Sequence, residues 1–193
     1  MTFTPQSTNV YRFVVKPRQS GDARSEGYRQ DARALGMQHI SGLECHDLYF
    51  IEGQVEQNDL ERLAKELLSD PITQITEWGR IIHPPEQTSA LEEGAWVVEV
   101  ALRPGVTDPV AAQIVRAAQV LGLVGVQQAS TGLRFVVRGE RLQEADLHLL
   151  ARRLFLFGRA LAGFEFTIQR GLRRHGCWRS RRRSRRKGLQ RLF

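Results

Sequence analysis

An internal repeat is the feature of this sequence that most restricts its fold. Asp108 predicts the start of a helix, because aspartate caps helix N-termini, and Gly122 predicts the end of that helix. The same pair occurs 86 residues earlier as Asp22 and Gly36. The apolar face between cap and glycine agrees at the same offset: Tyr28, Ala32 and Leu35 stand against Ile114, Ala118 and Leu121.

The next helix of each half repeats as well. Its apolar positions lie 87 residues apart: Leu60, Leu63, Ala64 and Leu67 match Leu147, Leu150, Ala151 and Leu154. Gly53 and Gly139, which precede these helices, are 86 residues apart. Agreement of cap, apolar face and glycine through two consecutive helices indicates a duplicated structural unit.

Each copy predicts four strands and two helices. In the first copy, we predict strands at 10–15, 39–45, 48–52 and 72–82, and helices at 23–35 and from Asn58, which would form a capping box with Glu61. In the second copy, we predict strands at 96–102 and 133–138 and a short strand before a turn at 130–132. A helix follows Asp108, another begins near Ala145, and a last strand covers 164–168. The predicted fold class is α+β, with two ferredoxin-like β-α-β-β-α-β units packed as a pseudo-dimer, because about 70 residues bury too little surface to be robust alone.

Composition divides the chain into four segments. We predict a first unit at 1–82, a linker at 83–94 that contains two prolines, a second unit at 95–169, and a basic, disordered tail at 170–193. The tail holds eleven Lys or Arg residues and no acid, so the net charge of +7 becomes −4 over residues 1–169. Such a tail is expected to bind nucleic acid without specificity.

The sequence shows no signal peptide and no apolar run of the roughly 18 residues that span a membrane. The two cysteines, Cys45 and Cys177, form no disulfide framework. We therefore expect a cytoplasmic protein without membrane association.

The reactive side chains form no recognisable catalytic or metal-binding set. Residues 44–47, Glu-Cys-His-Asp, are the densest cluster, but neighbours in an extended segment point to opposite faces and do not converge. The remaining candidates, His39, His83, His148 and His175, have no ligand spacing, and no glycine-rich phosphate loop opens a helix. We predict no catalytic, cofactor or metal site in this chain.

Several motifs together resemble one family. The loop Arg103-Pro104-Gly105-Val106-Thr107-Asp108-Pro109 between strand and helix, the pair Leu121-Gly122 and the stretch from Gly132 to Gly139 are similar to the small, S-type subunit of phosphoribosylformylglycinamidine synthase. Residues 66–72, Glu-Leu-Leu-Ser-Asp-Pro-Ile, add a second likeness, and the resemblance covers about residues 10–168. The first copy departs in its loop (Arg-Gln-Ser-Gly-Asp at 18–22), and the second has Phe-Gly-Arg at 157–159 where Asp-Pro would stand.

The resemblance implies a role without catalysis. In that family, the small subunit is a ferredoxin-like dimer that helps join a glutaminase to an ATP-dependent synthetase in purine biosynthesis. Larger synthetases carry a fused region that is similar to the dimer. We therefore expect a scaffold, either a separate tandem subunit or the N-terminal part of a synthetase, with ATP and magnesium bound elsewhere in the complex. The structural or interface candidates are Arg103, Gly105, Asp108, Gly122, Gly139, Gly36 and Gly53.

Two other functional classes stay open. Tandem ferredoxin-like units also form regulatory domains that bind small molecules, although only the second copy has a plausible glycine-bearing loop. The arginine-rich tail is also consistent with RNA binding, although no pair of aromatic residues is spaced for stacking on bases.

Overall fold

The computed structural model describes residues 8–81, 94–103, 105–155 and 164–170, without the side chains of residues 154 and 155. The predicted tail beyond Arg170, and the predicted linker except for Gly94, lie outside the described residues. The elements in chain order are β1 (Asn9–Pro17), α1 (Ala23–Ala34), β2 (Ile40–Gly53), α2 (Gln57–Arg62), β3 (Gln74–Arg80), β4 (Trp96–Leu102), α3 (Pro109–Val120), β5 (Val126–Gly139), α4 (Glu144–Leu150) and β6 (Phe164–Arg170). A π-helix continues α2 over Leu63–Leu68 and another continues α4 over Ala151–Phe155. The α+β class is confirmed.

The described strands form an antiparallel sheet in the order β3-β1-β2-β5-β4-β6. In the first half of the chain, β1 lies between β2 and β3, so that Phe13 pairs with Tyr49 on one side and with Trp78 on the other. In the second half, β4 pairs with β6, and Val98 stands opposite Ile168. Both halves share the element order β-α-β-α-β.

The prediction of two short strands in the middle of each copy was wrong. β2 and β5 are single strands of 14 residues each. At the middle of each strand, a backbone N–H is bonded to the first turn of a helix: Cys45 donates to Ser25 Oγ and Thr131 donates to Asp108 Oδ2, both over 2.9 Å. Each bond connects the middle of an extended strand to a helix of the same unit, so these residues lie within the strand and not in a turn.

The predicted capping box at Asn58 is also absent. α2 begins at Gln57, its cap residue is Glu56, and no side chain bonds to the first turn. Burial of Leu60, Leu63 and Ala64 holds this helix in place. Packing of an amphipathic face commonly contributes more to a protein helix than its terminal signals do.

The described chain separates into two compact units, and neither follows one sequence copy. Unit 1 combines residues 8–20, 46–81 and 107–132, and unit 2 combines 21–45, 94–103, 105–106, 133–155 and 164–170. Helix α1 of the first copy therefore belongs to unit 2, and α3 of the second copy belongs to unit 1. The long strands β2 and β5 each supply a segment to both units.

Each unit has its own apolar core. In unit 1, Phe13 and Leu63 are fully buried in a cluster that also contains Ile114 and Ala118 of α3. In unit 2, Ala32 of α1 and Met37 are buried with Phe135 and Leu147. Each cluster therefore contains buried side chains from both copies. Burial of one Leu or Phe side chain contributes about 1.5–3 kcal/mol to folding stability, so both cores depend on both copies.

None of the helices in the part of the chain that the structure describes has the length and apolarity needed to cross a membrane.

Candidate functional site

Asp22 and Asp108 cap equivalent helices with different sets of hydrogen bonds. Asp22 Oδ1 accepts the backbone N–H groups of Arg24 and Ser25, each over 3.1 Å. Burial opposes ionisation of Asp22, but the hydrogen bonds from Ser25 and Arg24 outweigh it, so the pKa of Asp22 lies below its usual value. Asp108 accepts the N–H of Ala111 over 2.9 Å, and its second oxygen accepts both the N–H and the hydroxyl of Thr131 over 2.9 Å. Asp108 thereby fixes α3 on the middle of β5 within unit 1.

Gly36 and Gly122 end α1 and α3 with the same Schellman turn. Both have positive φ, +90° and +69°. In the first turn, Gly36 N–H donates to Arg33 and Met37 N–H donates to Ala32; in the second, Gly122 donates to Gln119 and Leu123 donates to Ala118. This is the bond pattern that terminates a helix at a left-handed glycine. The residue after each glycine is buried in the core of its unit.

Gly53 and Gly139 lie where another backbone passes too closely for a side chain. A Cβ atom on Gly53, whose φ is +154°, would lie 1.9 Å from the carbonyl oxygen of Gly125. A Cβ atom on Gly139 would lie 2.4 Å from the carbonyl oxygen of His39. His39 and Gly125 are themselves 86 residues apart. The two contacts are therefore equivalent in the repeat. Gly53 brings the end of β2 close to the residue before β5, and Gly139 brings the end of β5 close to the residue before β2.

Arg103 and Gly105 form the turn after β4. The Nε–H of Arg103 donates to the carbonyl of Phe164 over 3.0 Å, and the N–H of Val106 donates to the carbonyl of Arg103 over 3.1 Å. Gly105 supplies the positive φ, +85°, that this turn requires. Pro104 lies outside the described residues.

The seven residues predicted from the sequence do not come together in one site. Asp108 and Gly122 stand beyond opposite ends of α3, whose 12 residues span about 18 Å. In unit 2, Gly36 and Arg103 occupy separate turns. All seven hold helix ends, turns or close backbone approaches.

The reactive cluster at 44–47 does not converge either. Cys45 and His46 are consecutive and both buried in β2, while Glu44 accepts a hydrogen bond from Arg138 Nη1 over 2.6 Å. The other two described histidines each stand near one carboxylate: His39 Nε2 is 3.7 Å from Asp146 Oδ2, and His148 Nε2 is 3.5 Å from Glu144 Oε1. No group of three or more His, Cys, Asp or Glu residues that suits a metal occurs within the described ranges. His83, His175 and Cys177 lie outside them.

The sequence analysis missed an exposed apolar surface at the end of α3. Val120 is 84% exposed, Val124 is 80% exposed, and Leu121, which the helical period placed on the inward face, is 37% exposed. We call these three residues the α3-end patch. A comparison of the two copies could have indicated this surface. The equivalent positions in the first copy are Ala34, Leu35 and Gln38, so only the second copy has the two valines.

Arg62 fixes the backbone below this patch. Its guanidinium group donates to Glu66 over 3.0 Å and also to the carbonyl oxygen of Leu121 over 3.3 Å. The last turn of a helix leaves carbonyl groups without helical partners, and a nearby arginine can satisfy them. The backbone of the α3-end patch is therefore fixed by the hydrogen bond from Arg62 and by the Schellman turn at Gly122.

No protein-family model matches the chain, and no curated protein has a significant sequence match to it.

Proposed function

We propose that this chain is a non-catalytic scaffold part of phosphoribosylformylglycinamidine synthase, which helps couple glutaminase to the ATP-dependent synthetase in purine biosynthesis. The observation that carries the proposal is the make-up of the two units, each of which combines elements of both sequence copies. A duplicated subunit that once paired with a second copy of itself would have this composition after fusion. The motifs in the loop at 103–109 support the same family.

Unit 2 supports a ferredoxin-like assignment when its elements are taken across the copies. The second copy supplies β4, the second part of β5, α4 and β6 to unit 2, and the first copy supplies α1 and the first part of β2. In the repeat, α1 and the first part of β2 occupy the places that come directly after β4. This gives the order β-α-β-β-α-β. The strand order β2-β5-β4-β6 places β4 and β5 at the centre, as ferredoxin-like sheets place their first and third strands. We propose that unit 1 has the same design, with α3 as the exchanged helix.

The α3-end patch is the surface that we propose for contact with the synthetase or the glutaminase. Because Val120 and Val124 are both more than three quarters exposed, a partner that covers them removes apolar surface from water, which favours binding. Their backbone is preorganised by Gly122 and Arg62, so little conformational entropy is lost on association. ATP and magnesium would bind elsewhere in the complex.

The test uses the repeat to supply its own substitutions. Val120→Ala combined with Val124→Gln gives the α3-end patch the residues that the first copy has at the equivalent positions. The wild-type chain should raise glutamine-dependent activity when it is added to cognate synthetase and glutaminase that lack this region. The double variant should need about tenfold more protein for the same activity, which corresponds to about 1.4 kcal/mol of binding free energy.

The control is Leu149→Gln on α4 of unit 2, because Leu149 is also an exposed apolar residue, at 44%. This variant should stimulate as well as the wild type, and both variants should keep the wild-type melting temperature. Full activity of the complex without this chain would contradict the scaffold role. ATPase or glutaminase turnover by the highly purified chain would contradict it as well.

A further inference from the structure

An open groove of about 430 Å³ lies in unit 1, between the edge strand β3 and the helical segment formed by α2 and its π-helical continuation. Arg18, which follows β1, stands in its lining with Pro71, and Lys65 comes from the helical segment. Gln74, Thr76 and Trp78 come from alternate positions of β3, so their side chains share one face of the strand. The volume lies within the range of about 300–1,000 Å³ that small-molecule sites occupy.

The polar groups of this groove are mainly hydrogen-bond donors. Arg18 is held by its Nη2–H, which donates to the carbonyl of Pro71 over 3.0 Å, and by its backbone N–H, which donates to Thr73 over 2.9 Å. Lys65 has no hydrogen-bond or ion-pair partner among the residues that the structure describes. The side-chain oxygen of Gln74 accepts the N–H of Asp70 over 2.9 Å, which leaves its amide NH₂ as the donor.

Thr76 lines the groove without presenting its hydroxyl oxygen to it. Its hydroxyl oxygen is buried, yet it has no hydrogen-bond partner within the described part of the chain. A buried polar group without a partner costs about 1–3 kcal/mol. Because the oxygen is not accessible, a molecule in the groove reaches it only if the Thr76 side chain moves.

Charge and shape narrow the class of ligand. Two cations, Arg18 and Lys65, line the groove with one acid, Glu61. Trp78 is held against Phe13, with ring centroids 5.9 Å apart and planes 28° from parallel. A fixed indole beside a set of donors suits a molecule that has an anionic group and a flat ring.

We propose that this groove binds a small organic anion, with a phosphate or carboxylate group between Arg18 and Lys65 and a planar ring against Trp78. The site goes beyond the scaffold role and does not depend on it, because no residue of the α3-end patch lines the groove. Failure of one proposal therefore leaves the other standing.

The experiment titrates the full chain with four probes and follows the indole N–H signal of Trp78 by NMR, assigned with Trp78→Phe. AMP carries a phosphate and a ring, and indole-3-acetate carries a carboxylate and a ring. Adenosine supplies a ring without charge, and inorganic phosphate supplies charge without a ring. At least one of the two ring-bearing anions should shift the Trp78 signal at millimolar concentration, and should bind at least tenfold more tightly than adenosine or phosphate alone.

The matched variants are Lys65→Ala and Arg152→Ala, because Arg152 is the repeat counterpart of Lys65, is exposed and lies outside the groove. Lys65→Ala should weaken binding at least tenfold, and Arg152→Ala should leave it unchanged. Both positions are exposed, so both variants should keep the wild-type melting temperature. The proposal is overturned if none of the probes shifts the Trp78 signal, if the two variants weaken binding equally, or if phosphate alone binds as tightly as AMP and indole-3-acetate.

Discussion

Helices α1 and α3 occupy equivalent places in the repeat and reach the middle of a long strand by different atoms. In unit 2, Ser25 of α1 accepts the N–H of Cys45, whereas in unit 1 Asp108 of α3 accepts the N–H of Thr131. Cys45 and Thr131 are 86 residues apart. The position of the bond is therefore common to both copies, while the side chain that makes it differs. A backbone N–H must find a partner when it is buried, but several side chains can supply one.

The outer surfaces of the two helices differ more than their inner faces. α1 carries an ion pair between Glu26 and Arg29, with N–O distances of 2.5 and 2.7 Å. α3 has no acid in its first turn and no base in its last, and it ends in the exposed Val120. Both nevertheless bury an alanine at the same position of the repeat, Ala32 and Ala118, at 0% exposure. Core positions are restricted by packing, whereas the surfaces are free to acquire separate roles.

Separation of the two copies should have the largest effect. Residues 1–88 and 89–193, expressed as separate chains, should each fail to fold as a monomer, because each core needs residues of both copies. The expected loss is the whole free energy of folding, on the order of 5–15 kcal/mol. Circular dichroism with thermal melting measures it, and mixing the two chains should restore one cooperative transition. If either fragment melted cooperatively as a monomer, the exchange of elements would be contradicted.

Gly53→Ala should have the next largest effect. The new Cβ atom would overlap the carbonyl of Gly125, and φ at this position is +154°. We expect a loss of about 3 kcal/mol or more in unfolding free energy, from backbone strain and overpacking of about 1–3 kcal/mol each. The control is Gly27→Ala inside α1, where a Cβ atom meets nothing within 4 Å, and which should add up to about 1 kcal/mol of stability. Urea denaturation measures the unfolding free energy of both variants. Equal changes in stability for the two variants would contradict the close approach at Gly53.

The two helix caps should differ in their contribution to stability. Asp108→Ala removes three hydrogen bonds, including both bonds to Thr131, and should cost about 2 kcal/mol. Asp22→Ala removes the bonds to Arg24 and Ser25 and should cost about 1 kcal/mol. Chemical denaturation at neutral pH measures the two unfolding free energies. A larger loss of stability for Asp22→Ala than for Asp108→Ala would contradict the predicted order.

The smallest effect should come from the charge of Asp22. Asparagine caps helices about as well as aspartate, so Asp22→Asn mainly removes the charge. Because the pKa of Asp22 is lowered in the folded state, its carboxylate contributes stability above its unfolded pKa, and that contribution is lost as the pH falls through the folded pKa. The wild type should be more stable than the variant by about 0.3–1 kcal/mol at pH 7. Denaturation curves at several pH values should show this gap closing in acid; a gap that widened in acid would contradict the stated pKa shift.

The sequence was sufficient to predict the ends of α1 and α3 but not the start of α2 or the long strands. Asp22 and Gly36 mark a start and an end through their own side-chain and backbone chemistry, so local residues decide these positions. The turn predicted at 130–132 also rested on local chemistry, but Thr131 lies within the continuous strand β5 and donates its N–H and hydroxyl groups to Asp108. That contact joins residues 23 positions apart, which a local pattern does not encode.

The exchange of helices between the copies could not be read from the sequence for a related reason. The apolar positions Tyr28 and Ala32 of α1 match Ile114 and Ala118 of α3, so these positions do not show by periodicity alone which core each helix joins. The period also placed Leu121 inward, whereas the Schellman turn leaves it 37% exposed. Periodicity specifies which face of a helix is apolar, and the tertiary fold determines what that face contacts.

The central claim is that the first copy's α1 segment is packed in a core built largely by the second copy, and Met37 provides the most direct test. The chain has two methionines, Met1 and Met37, so labelling methionine methyl groups gives one reporter in the core of unit 2. Met37 is 4% exposed in the cluster that contains Leu142 and Leu147. Nuclear Overhauser spectra should show contacts from the Met37 methyl group to side chains of this cluster in the second copy. Contacts to Phe13 and Leu63 of the first copy, in their place, would contradict the exchange.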